Sequence, residues 1–113
     1  MVTNREKGIL LCILKHCRRI ERKMSNLSRE EFDSNEDIRE IICFNVFQIG
    51  ELVKGLSPEF ISEHKTIPWK DIKGMRDIIA HGYGTIDNNI VWKTAATDIK
   101  PLSNYCEKII KTE

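Results

Sequence analysis

Between Ile38 and Leu56 the apolar residues leave almost no side of a helix polar. Ile38, Ile41, Ile42, Ile49, Leu52, Val53 and Leu56 form one seam at three- and four-residue spacing, and Cys43, Phe44, Val46 and Phe47 cover other directions. A helix that is apolar nearly all round must be surrounded by other elements. The chain has 113 residues, so residues 1–113 are read as one domain with one core. A chain of this size buries roughly two-thirds of its unfolded surface.

Polar residues intrude on this central helix at two places. Asn45 falls on the seam itself, where an unpaired amide would cost a few kcal/mol, so it is expected to bond a backbone group or a motif side chain. Gly50 lets a neighbouring helix come close, and Glu51 after it is placed to pair with Arg76. Structural hydrogen bonding accounts for Asn45 and Glu51 as readily as a direct role in chemistry.

The flanking segments supply the surrounding helices. From about Arg5 to Ser25, Leu10, Ile13 or Leu14, Cys17, Ile20 and Met24 repeat at helical spacing. Arg18, Arg19, Arg22 and Lys23 cluster on this helix. They read as a solvated face rather than a contact for RNA phosphates, because Glu6 and Glu21 interrupt them. Ser28 caps a short turn or helix through Phe32, which tucks back into the core. The central helix is expected to begin near Asp33-Ser34, and Ser57-Pro58 starts a short helix to His64. Trp69 to Ala80 reads as a further helix, with Pro68 at its start and Gly82 as a left-handed terminator. Asp87 caps the last helix, in which Pro101 predicts a kink or break near Ile99. Trp69 and Trp92 are assigned to the core, with a dimer interface as the alternative. The fold expected is an all-α bundle of four main helices plus one or two short ones, the last kinked at Pro101.

Composition excludes several classes. The formal net charge is +1, so no global electrostatic signature of a nucleic-acid binder exists, and an RNA site would need a local cluster or two subunits pooling charge. Cys12, Cys17, Cys43 and Cys106 show no Cys-x-x-Cys spacing, and three of them lie in helical apolar patterns. Free buried thiols and a reducing, cytoplasmic location are expected. Cys12 and His16 at helical spacing are two ligands, too few for a metal site, so neither metal nor cofactor is expected. The first apolar run, Ile9 to Leu14, is too short for a signal peptide or membrane span.

The residues with chemistry in them lie in Gly74-Met-Arg-Asp-Ile-Ile-Ala-His-Gly-Tyr83. Arg76 presents a permanently charged fork that matches phosphate oxygens, and His81 is suited to moving a proton. Five residues along a helix are about 140° of rotation, so the two share a face only if the helix unwinds at His81 and the imidazole swings back. Asp77 is placed to orient either of them, or to lie on the surface.

This run resembles the signature of HepT-like proteins of the HEPN superfamily, small helical domains many of which are ribonucleases. Asn45, Ile49-Gly50-Glu51, Ile67-Pro68-Trp69 and Ile90-Val91-Trp92 look like landmarks of that family in its order, so the resemblance covers nearly the whole chain. It implies a HEPN-like bundle and a metal-independent endoribonuclease working as a homodimer, with Arg76 and His81 of both subunits facing one cleft. It further implies the toxin of a type VII-like toxin–antitoxin pair, whose partner is an MntA-type nucleotidyltransferase antitoxin. In such systems the tyrosine equivalent to Tyr83 receives AMP, so Tyr83 is expected to contact RNA and to serve as an off switch. The alternative is a non-catalytic subunit binding nucleotide, RNA or a partner for a minimal nucleotidyltransferase.

Overall fold

The computed structural model describes residues 2–112, with the side chain of Tyr83 outside the described part. Helix α1 spans Asn4–Met24, α2 Arg29–Ser34, α3 Glu36–Val53, α4 Pro58–Glu63 and α5 Trp69–Gly82. A 3-10 turn, Tyr83–Thr85, leads to α6, Asn88–Lys93. A π-helical stretch, Thr94–Asp98, joins α6 to α7, Ile99–Thr112. No strand occurs among the described residues. The main helices are α1, α3, α5 and the α6–α7 run, with α2 and α4 as the short ones. An all-α bundle of this make-up is what the periodicity predicts.

Helix α3 lies in the middle, packed between α1 and α5, while α7 packs on the other side of α1. Its residues Ile42, Cys43, Val46, Ile49 and Val53 are buried against Leu10, Ile13, Cys17 and Ile20 of α1 and Met75 and Ile79 of α5. Phe32 of α2 is fully buried and meets Trp92 edge-on at 5.1 Å, which pins the α1–α3 connection onto α6. Trp69 is buried against Phe60 and donates its indole N–H to the His64 carbonyl, 2.8 Å, so the start of α5 is locked to the end of α4. Cys17, Cys43 and Cys106 are buried free thiols, whereas Cys12 is exposed. Burial pushes the Cys43 and Cys106 thiols up to about 11 and about 12, which keeps them protonated and inert.

One boundary differs from the periodic reading. Helix α3 starts after Asn35, whose side chain accepts from Ile38 N–H at 3.0 Å, so Asp33 and Ser34 belong to α2. Near Ile99, where a kink or break is expected, the helix is interrupted without being severed: the α pattern gives way over Thr94–Asp98 and resumes at Ile99. The wider π turn just before it makes room for the Pro101 ring, and the Thr94 hydroxyl donates back to the Ile90 carbonyl at 3.1 Å.

Glu6 carries more of the fold than its position suggests. It is buried, closes a capping box with Thr3, and accepts from the Ser57 hydroxyl at 2.7 Å, while Ser57 itself caps α4. The Ser57 hydrogen bond, followed by the backbone N–H of Thr3, holds the Glu6 carboxyl below its ordinary value. A depressed carboxyl contributes stability that is present above its unfolded value and is lost as pH falls through its folded one. Glu6→Gln should therefore cost about 1–2 kcal/mol near neutral pH. The gap from the parent should close as pH drops below the carboxylate range, read by urea denaturation at several pH values.

The α3–α5 contact depends on a missing side chain. A Cβ on Gly50 would stand 2.3 Å from Arg76 Cβ and 2.9 Å from Arg76 Cγ, whereas one on Gly74 would meet nothing within 4 Å. Gly74→Ala should thus stabilise by about 0.5–1 kcal/mol through helix propensity. Gly50→Ala should destabilise by about 1–3 kcal/mol despite the same propensity gain, because the two helices must separate. Thermal denaturation of the pair checks this, and equal effects at both positions would refute the close approach.

Candidate active site

Arg76 sits two turns into α5, on the flank that faces α3. Its stem crosses Gly50, and its guanidinium carbon lies 5.0 Å from the centroid of the Phe47 ring. Nε donates to Glu51 Oε1, and one terminal nitrogen, Nη1, donates to Asp77 Oδ1 at 3.0 Å. Nη2 makes no hydrogen bond among the described residues. The Arg76 side chain is 21% exposed, so a floor of glycine and phenylalanine and two carboxylates hold the fork in one orientation. Glu51 also accepts an ion pair from Lys54 Nζ at 3.1 Å. Lys54, then Arg76, holds the Glu51 carboxyl below its ordinary value, and Glu51 with Asp77 raises Arg76 further. Both partners are charged throughout the physiological range.

His81 is exposed in the last turn of α5 and makes no hydrogen bond among the described residues. The helix does not unwind there. Gly82 remains helical, no glycine has positive φ, and the Tyr83–Thr85 turn tightens directly from the helix, with the Thr85 hydroxyl donating to the Gly82 carbonyl at 3.1 Å. The left-handed terminator expected at Gly82 is therefore replaced by a 3-10 continuation, which satisfies a late carbonyl without a reversal of φ. His81 consequently stays about 140° around the axis and about 7.5 Å along it from Arg76. Within one chain the two do not swing together. Tyr83 begins the 3-10 turn next to His81, and its side chain lies outside the described residues.

Asn45 is buried on the opposite flank of α3. Its Nδ2 donates to the Ile41 carbonyl at 2.8 Å, and its Oδ1 lies 2.7 Å from His16 Nδ1 on α1. Because the amide N–H must face the carbonyl, the oxygen faces the imidazole, and Nδ1 must carry the proton. The amide is thus satisfied by a backbone group and by His16, not by the Arg76 motif. Its connection to the site runs through the position of α3 alone.

Between these two flanks α3 turns Ile41 and Phe44 to the outside, with Asp37 and Gln48 on the same side. Phe44 is 55% and Ile41 38% exposed. A recess of about 350 Å³ beside Arg76's helix is lined by Glu40, Cys43, Phe44, Phe47, Ile79 and Ala80. Phe47 beneath the guanidinium and Lys54 beside Glu51 were not singled out by the sequence reading. The signal was present, since Phe47, Gly50 and Lys54 follow Phe44 at three- and four-residue steps along one flank. Among the described residues no group of three or more His, Cys, Asp or Glu is placed to hold a metal. Among the described residues no helix is long and apolar enough to cross a membrane.

Comparison with known proteins gives the arrangement its context. The family model described as Ribonuclease HepT-like matches residues 13–109. A protein of Caldanaerobacter subterraneus subsp. tengcongensis named "Putative RNase" is 32% identical over 101 residues, 89% of this chain and 90% of its own length. A Methanocaldococcus jannaschii protein, also named "Putative RNase", is 34% identical over 105 residues, 93% of this chain and 87% of the relative. A "Probable ribonuclease HepT" of Thermococcus cleftensis is 38% identical over 63 residues, covering 56% of this chain and 57% of that one. No solved structure gives a match. The match spans α3 and α5 in full, and with them Gly50, Glu51, Arg76 and His81, so the chain belongs to the HepT-like ribonuclease family.

Proposed function

We propose that this chain is a metal-independent endoribonuclease that works as a homodimer, with Arg76 and His81 of both subunits facing one cleft. The observation that carries the reading is the fixed Arg76 fork, held over Phe47 and Gly50 with Nη2 unengaged, on the same helix as an exposed His81. Phosphodiester cleavage needs a proton taken from the ribose 2′-hydroxyl, attack of that oxygen on phosphorus, and a proton delivered to the departing 5′-oxygen. The products are a 2′,3′-cyclic phosphate and a 5′-hydroxyl. One His81 takes the first proton, and His81 of the partner subunit delivers the second. Arg76 stabilises the charge that develops on the phosphate oxygens.

A single chain is poorly equipped for both tasks. Arg76 and His81 point about 140° apart, and Glu51 with Asp77 offsets the local positive charge. A second copy seated on the outward strip of α3 would cover Phe44 and Ile41 and bring two guanidinium groups to one phosphate. As regulation, we infer the toxin role of a type VII-like pair: an MntA-type nucleotidyltransferase antitoxin transfers AMP from ATP to the hydroxyl of Tyr83, two residues beyond His81, with loss of the phenol proton and release of pyrophosphate. The negative charge and bulk of the attached AMP would exclude RNA from the cleft. The engagement of Arg76 by two carboxylates also fits the second reading, a non-catalytic nucleotide- or partner-binding subunit.

Cleavage of RNA by the purified chain in EDTA, with a cyclic phosphate at the new 3′ end, is the expected result. His81→Ala should lower the rate by about 10²–10⁴-fold with the dimer intact. Arg76→Lys should fail nearly as badly, since an ammonium lacks the planar fork. No cleavage by a well-folded dimer would favour the binding-subunit reading. Light scattering should give twice the chain mass, and a strict monomer at micromolar concentration would sink the shared cleft.

A further inference from the structure

Helix α1 carries seven basic side chains between Arg5 and Lys23 apart from His16; Arg5 donates to the Gly55 carbonyl, Lys7 lies on the first turn away from the rest, and the fold sorts the other five into two sets. Arg18 faces α7 and pairs with Glu107, and Glu21, on the same side, is drawn to Lys100 at 3.5 Å. Glu6 is buried and committed to Thr3 and Ser57. The two acidic residues that interrupt the basic cluster in the sequence are therefore turned away from it. What remains on the outer face is Lys15, Arg19, Arg22 and Lys23. None of the four takes part in an ion pair among the described residues. Lys15, Arg22 and Lys23 are exposed and Arg19 is half-buried.

Their spacing puts the four within about 100° of the helix circumference and along about 12 Å of its axis. They lie opposite the seam of Leu10, Ile13, Cys17 and Ile20, each of which is fully buried. In a chain of net charge +1, four neighbouring cations without internal partners are a local concentration of positive charge. His16 borders the stripe one turn before Arg19, and with Nδ1 committed to Asn45 its Nε2 is the ring nitrogen left to meet a ligand.

We infer that this stripe is a second nucleic-acid contact, taking the phosphate backbone of single-stranded RNA outside the cleavage cleft. The inference rests on the ribonuclease reading and names where its substrate is held. Single strands are tracked by positive surfaces that follow the backbone, and 12 Å accommodates two to three phosphates. The contact has no base-reading geometry, so it adds affinity without sequence preference. An anionic membrane is disfavoured as the occupant, because the seam of α1 is sealed in the core and Leu11, 51% exposed, is the one large apolar side chain its outer face offers among the described residues, too little to enter a lipid interface.

The test uses the full chain carrying His81→Ala, so that RNA is not degraded, and a labelled twelve-residue oligouridylate read by fluorescence anisotropy across a salt series. The stripe variant adds Lys15→Gln, Arg19→Gln, Arg22→Gln and Lys23→Gln. A charge-matched control instead adds Lys7→Gln, Lys65→Gln, Lys70→Gln and Lys108→Gln, and circular dichroism confirms that each folds. Loss of about three phosphate contacts should flatten the slope of log affinity against log salt by about 2 and weaken binding about 100-fold at 0.1 M salt. The control should bind within about threefold of its parent. Equal loss in both variants, or an unchanged slope in the stripe variant, would overturn the inference. So would binding to phosphatidylserine vesicles that the stripe variant loses while its RNA affinity is unchanged. Cleavage by the unsubstituted chain, beside a stripe variant that binds as well as the His81→Ala chain, refutes the stripe alone; an unsubstituted chain that neither binds nor cleaves RNA refutes the ribonuclease reading as well.

Discussion

Arg76 reaches its place because position 50 has no side chain. A Cβ there would stand 2.3 Å from Arg76 Cβ, so the α3–α5 distance, the support from Phe47 and the hydrogen bond to Glu51 all presuppose glycine. Helix α5 packs chiefly on α3, so this one contact line sets both its orientation and the direction of its functional side chains. Fold and site meet there. A loosened helix pair would leave the guanidinium to find its carboxylates by flexing, and a flexible fork is a weaker phosphate clamp.

The same economy governs α3 as a whole. Its buried face joins α1 to α5, its α5 flank carries Phe47, Gly50 and Glu51, and its α1 flank carries Asn45 bonded to His16. The remaining outward strip, with Phe44 and Ile41 exposed, is what the interior does not use. Exposed large apolar side chains are costly to leave uncovered, and the proposed second copy and the proposed cleft fall on that same side. The basic stripe of α1 follows a related logic: the core takes one side of that helix, α7 takes the acids and Arg18, and the leftover face is uniformly positive.

Much of this was legible in the sequence because it rests on local periodicity. The helices, the caps at Ser28, Ser57 and Asp87, the burial of Phe32 and the proximity of Gly50 to a neighbour follow from spacing and from residue chemistry. The pairing of Glu51 with Arg76 followed once Gly50 was read as a point of close approach. Less legible was anything that depends on how a helix ends or on which flank faces what. Gly82 carries the residue type of a left-handed stop, yet the Thr85 hydroxyl and a 3-10 turn serve its carbonyl instead. Asn45 was recognised as needing a partner, but the partner, His16, lies 29 residues away on another helix.

By itself the sequence determined the fold class, the central helix, and the presence of Arg76 and His81 five residues apart, because helical periodicity and side-chain chemistry are local properties. What the spacing left open was whether the helix unwinds at His81, and the structure decided it: α5 continues unbroken through that residue, so Arg76 and His81 diverge by about 140° within one chain. It also decided that Glu6 and Glu21 leave the basic face of α1, one for Ser57 and the other for Lys100. The second outcome depends on partners that are distant along the chain and become neighbours only when the helices pack; the first rests on the Thr85 hydroxyl and the 3-10 turn that follow Gly82, an alternative to the left-handed stop that residue type alone does not select.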